Sequence, residues 1–76
     1  MTRQEAVDRI RSGRPVCVAF LKRTDGSLRI MVAKAMLPSV LTDRITVEDL
    51  RLHDVRCVLV EGIVAVSTRD RWEVVV

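Results

Sequence analysis

The sequence predicts a small α+β domain in which one N-terminal helix packs on a small bent antiparallel sheet of four or five strands. Three observations predict it. The chain has 76 residues, enough for one core and too few for a second. Its first segment carries helix start and stop signals. After that segment, short apolar runs alternate with turn residues, and fourteen valines fall mostly within those runs. Hydrophobic residues make up 49% and charged residues 30%, the balance of a folded globular chain rather than a disordered one.

The helix comes first. Thr2 followed by Glu5 is a capping-box spacing, in which each side chain satisfies an orphan amide of the first turn. Ala6, Val7 and Ile10 share one face, and Glu5, Asp8 and Arg9 lie on the other. Gly13 and then Pro15 end the helix. An apolar face of three residues is too narrow to make a core alone, so the helix must dock on a sheet.

A hairpin follows. Residues 16–23 and 27–35 both read as strands, with Asp25-Gly26 between them as a two-residue type I′ turn. That turn pairs Thr24 with Ser27, Lys22 with Arg29, Phe20 with Met31 and Val18 with Ala33. One face then carries Val16, Val18, Phe20, Lys22, Arg29, Met31 and Ala33. The other carries Cys17, Ala19, Leu21, Arg23, Leu28, Ile30, Val32 and Lys34. Both faces are apolar at the root of the hairpin and basic at its tip.

Pro38 to Asp43 reads as a connection. Thr46 to Asp49 resembles a second capping box, leaving residues 49–52 open between a helical turn and a short strand. Val55 to Val60 and Ile63 to Ser67 are strand-like, with Gly62 either a bulge or a turn between them. Thr68 to Arg71 is a polar tip, and Trp72 to Val76 a closing strand. Phe20 and Trp72, the only aromatics, are expected in the core, whereas an exposed Trp72 would mark an interface. Both cysteines, Cys17 and Cys57, are expected on apolar strand faces as small hydrophobes.

Charge is distributed unevenly. The net charge is +3, and eleven of the thirteen basic residues are arginine. Residues 1–36 hold eight basic and three acidic side chains, a balance of +5. Residues 37–76 hold five against seven, a balance of −2. Arginine suits phosphate and carboxylate geometry, although an arginine-rich composition also arises from genomic base content. Like charges placed opposite each other, as Lys22 and Arg29 are expected to be, repel unless an anion relieves them.

Several chemistries lack their residues. There is one histidine, His53, beside Asp54, with no paired carboxylates on a shared element and no nucleophile turn. Two cysteines forty positions apart and one histidine make no metal set, and three glycines make no phosphate loop. The chain therefore reads as non-enzymatic, with no cofactor and no metal. No apolar run approaches the roughly 18 residues of a membrane span, and the polar start reads as cytoplasmic.

The hairpin segment Val18 to Met31 resembles the V-x-F-x-K-x-D-G-x-x-R-x-M hairpin of small phage- and prophage-associated domains with an SH3-like or Sm-like barrel. Phe20, Lys22, Gly26, Arg29 and Met31 stand at the matching places, with one extra residue in the turn region. The resemblance implies an SH3-like or Sm-like partial barrel in a mobile-element setting and implies no activity.

The functional expectation is a binding module that contacts nucleic-acid phosphate or an acidic protein surface through Lys22, Arg23 and Arg29, together with Arg11 and Arg14. A different class stands beside it: an inhibitor or accessory protein that blocks a host complex, anti-CRISPR-like, through protein–protein contacts. A valine-rich edge at residues 74–76 also invites strand addition between copies, giving a homodimer.

Overall fold

The computed structural model describes residues 1–36 and 42–76. The connection expected at Pro38 to Leu41 lies outside the described residues. One helix, α1 (Arg3–Arg11), is followed by six strands: β1 (Val16–Leu21), β2 (Leu28–Ala35), β3 (Arg44–Asp49), β4 (Asp54–Leu59), β5 (Ile63–Thr68) and β6 (Arg71–Val74). A 3-10 turn at Val60–Gly62 joins β4 to β5. All neighbours are antiparallel, in the order β4-β3-β2-β1-β5-β6, and the sheet does not close.

The helix forms as its sequence predicts. Thr2 is the N-cap, its hydroxyl accepting from the Glu5 amide at 3.1 Å while the Glu5 carboxylate accepts from the Thr2 amide at 3.0 Å. Gly13 lies beyond the C-cap with φ +84°, a left-handed conformation open to glycine without penalty. Ala6, Val7 and Ile10 are buried. They pack with Val18, Phe20 and Met31 from the hairpin, Ile45 and Val47 from β3, Val58 from β4, and Ile63 and Val66 from β5. One face of the sheet and the helix thus share the core. Arg3 reaches across to the 3-10 turn, donating to the carbonyls of Val60 (2.7 Å) and Ile63 (3.1 Å) and tying helix to turn.

The hairpin keeps its predicted faces and changes its register. Phe20 pairs with Arg29, Val18 with Met31 and Val16 with Ala33, a slip of two residues that leaves every side chain on its expected face. The cause is the loop. The Asp25 carboxylate accepts from both the Ser27 amide (3.0 Å) and hydroxyl (2.7 Å), so Ser27 cannot extend opposite Thr24. Lys22 instead closes on Ser27, its amide donating to the Ser27 carbonyl at 2.8 Å, and Gly26 alone takes a positive φ, +73°. A four-residue loop replaces the expected type I′ turn. Lys22 and Arg29 are consequently not cross-strand partners, as the expected turn would have made them.

Six strands replace four or five because Thr46 to Asp49 is strand, not a capping box. Asp49 ends β3 by accepting from the amides of Arg51 (3.0 Å) and Leu52 (3.3 Å), which folds residues 50–53 into a turn. Gly62 belongs to the 3-10 turn, where a Cβ would meet the Leu21 carbonyl oxygen at 3.0 Å. The bulge falls instead in the β1–β5 pairing, between Ala19 and Phe20. Together these features bend the sheet and bring the end of β1 toward the 3-10 turn.

Two burial expectations fail, and so does the expectation of an open edge at residues 74–76. Trp72 is 45% exposed, because Val66 and Thr68 point into the core and Ser67, the partner of Trp72, points out. Cys57 is exposed and Cys17 only partly covered, since both lie on the outer sheet face. The edge at residues 74–76 is not open: Met1 accepts from the Val76 amide at 3.0 Å and donates to the Val74 carbonyl at 2.9 Å.

Candidate anion-binding cleft

The five arginine and lysine residues singled out in the sequence do not form one site. Arg14 precedes β1 and Lys22 follows it, which at the rise of an extended strand separates them by roughly 25 Å, the full width of a molecule measuring 28 × 25 × 25 Å. Arg11 and Arg14 therefore stand at the helix end, and Lys22, Arg23 and Arg29 at the hairpin tip. Two cationic regions result.

At the hairpin tip, the bend of the sheet carries β4 against the loop. Phe20, Lys22, Arg23, Thr24 and Arg29 face Val55, Arg56 and Cys57 across a cleft of about 310 Å³. All four charged residues lining it are cationic. Arg56 is a member that sequence reasoning missed. Two of the four are tied down: Arg29 to Asp49 at 3.4 Å and Arg56 to Asp54 at 3.0 Å. No carboxylate lies within ion-pair distance of Lys22 or Arg23 among the described residues. Phe20 and Val55 give the cleft apolar walls, and low polarity beside a charge strengthens its field.

Asp49 anchors this arrangement. Its side chain is only 4% exposed. Burial pushes its carboxyl up, but the amides of Arg51 and Leu52 and the Arg29 guanidinium outweigh that and hold it below the usual carboxylate range. The carboxylate stays charged and fixes Arg29 at the mouth of the cleft.

The helix end offers more volume and less charge. A cleft of about 640 Å³ there is lined by Arg9, Arg14 and Arg69 together with Asp8, and an adjoining one adds Arg71, Asp70 and Glu73. Four cations alternate with three anions, so the field of one sign largely cancels the other. Size points to the helix end and electrostatics to the tip. For an anionic ligand the sign of the lining decides, since attraction depends on charge and not on room.

The chain matches no family model, no curated protein and no solved structure.

Other chemistries find little here. His53 sits in the β3–β4 turn with φ +53°, its Nδ1 3.8 Å from Glu48 rather than turned to Asp54, and it is well exposed. Among the described residues no three metal-ligating side chains cluster, and no helix is long and apolar enough to cross a membrane.

Proposed function

We propose that this chain is a non-enzymatic, cytoplasmic binding module that takes nucleic-acid phosphate at the cleft between the hairpin tip and β4. The observation that carries the reading is the lining of that cleft, whose every charged residue is a cation and whose Lys22 and Arg23 form no ion pair among the described residues, Asp25 and Asp43 acting on them only over a longer range. An incoming phosphate supplies counter-charge at closer range, and the counterions it releases provide the driving force. The apolar walls of Phe20 and Val55 are too buried or too small for base stacking, so the contact reads backbone and not sequence.

An SH3-like or Sm-like partial barrel is the fold reading proposed with it. The leading helix, the bent sheet and the 3-10 turn before β5 support that assignment, and the hairpin resemblance supports a mobile-element origin.

The test is fluorescence anisotropy with labelled single- and double-stranded oligonucleotides at two salt concentrations. Binding that weakens steeply with salt is expected, with a slope near 2 for two freely available cations. Absence of binding at low salt contradicts the proposal and leaves a protein surface as the ligand.

A further inference from the structure

The helix covers one face of the sheet, and among the described residues no element packs on the other. Along β1, β2, β5 and β6 the register places outward-facing residues in two full rows: Val32, Cys17, Ser67 and Trp72, then Ile30, Ala19, Ala65 and Val74. Leu28 and Leu21 begin a third. Ser67 is the one polar side chain among these ten, and none carries a charge.

The shape is as informative as the composition. Ala19 and Ala65 are paired at the centre and only 6% and 7% exposed, a low floor. Ridges stand on both sides of it. Leu28 (57%) and Ile30 (58%) rise from β2, and Trp72 (45%) and Val74 (61%) from β6. The bare apolar area is on the order of 500 Å², the top of the range for the largest patch on a monomer. With a surrounding polar rim it approaches the roughly 800 Å² per partner of a standard interface.

We propose that this outer face is the interface of a symmetric homodimer. The chain carries +3, so two copies repel each other wherever their basic clefts meet. The outer face is a broad surface free of that repulsion. A nucleic acid or an acidic protein is drawn to the cations and gains nothing here, whereas a second copy matches the patch in size and lack of charge. Toward β3 the rim carries Lys34 beside its cross-strand partner Glu48. Both signs in adjacent positions suit a twofold interface, in which each residue meets its reciprocal on the other copy. Met1 already occupies the Val74 carbonyl and the Val76 amide, so pairing runs through the face and not along that edge.

Trp72, the only tryptophan, sits inside the patch and reports on it. Sedimentation equilibrium of the full chain, with Trp72 emission followed on dilution, tests the proposal. A dimer is expected, with emission shifting to the red as it dissociates. Ile30→Glu places a charge on the β2 ridge of the patch and is expected to weaken the dimer about thirtyfold or more. Val74→Lys, on an edge strand that tolerates lysine, should do the same if Ile30→Glu fails to fold. Alkylation of Cys17 should be slower in the dimer than in the monomer, with exposed Cys57 as the internal reference. A wild-type chain that stays monomeric at high concentration overturns the proposal. So does a dimer that survives either substitution in a folded variant, since it then uses another surface.

Discussion

The two cationic regions of this molecule are both rich in basic side chains and differ in what stands between them. At the hairpin tip Asp49 and Asp54 pair with arginines, Asp25 holds Ser27 and Asp43 holds Arg44, and none of these carboxylates lines the cleft, so its lining shows only positive charge. At the helix end Asp8, Asp70 and Glu73 line the clefts alongside Arg9, Arg14, Arg69 and Arg71. A count of charges along the chain sees two similar clusters. The placement of the acids makes one of them a candidate anion site and the other a solvated surface.

The comparison breaks most directly at Lys22 and Arg23. Replacing both with alanine should lower oligonucleotide affinity at least about tenfold at low salt and reduce the salt slope by about 2, because each phosphate contact contributes about one to that slope. Titrations at four salt concentrations measure both quantities. Gly26→Ala alters the loop that holds those side chains. At φ +73° with open space around it, the cost is conformational and not steric, about 1.5 kcal/mol in urea denaturation. Thr2→Ala removes the helix cap and acts at the other end; a loss of about 1 kcal/mol is expected, with oligonucleotide affinity unchanged.

Asp49→Asn moves the two observables in opposite directions. Loss of the pair lowers stability while leaving Arg29 free to meet a phosphate, so affinity should rise about threefold at low salt. The same variant tests the acid limb of stability. A carboxyl whose pKa is lower folded than unfolded stabilises above its ordinary range, and that contribution is lost as pH falls through the lowered folded value. The wild-type chain should therefore lose stability below about pH 4, and Asp49→Asn should show a shallower loss. The smallest effect belongs to Arg14→Ala and Arg69→Ala. At roughly 25 Å from the tip they lie beyond a Debye length in 0.1 M salt, and affinity should change less than about twofold.

Much of the fold was legible from local signals. The capping box, the Gly13 stop and the buried triad Ala6, Val7 and Ile10 all follow from spacing within the helix. The hairpin faces were legible even though the register was not, because a slip of two residues preserves a period of two. What sequence could not show depends on contacts far apart in the chain. Trp72 faces outward because of how β6 registers on β5, and nothing near Trp72 encodes that. The cleft is a sharper case. Lys22, Arg23 and Arg29 could be grouped from the hairpin alone, but Arg56 joins them only because the sheet bends and brings β4 to the loop. Nor does spacing separate Arg11 and Arg14 from the tip until the length of β1 is set against the size of the molecule.

The most direct test of the two-region account is an NMR titration of the uniformly ¹⁵N-labelled chain with a short single-stranded oligonucleotide. Amide shifts concentrated at residues 22–29 and 55–57, with residues 9–14 and 69–71 unmoved, are the predicted result. Shifts concentrated at the helix end, or spread equally over both regions, would contradict it.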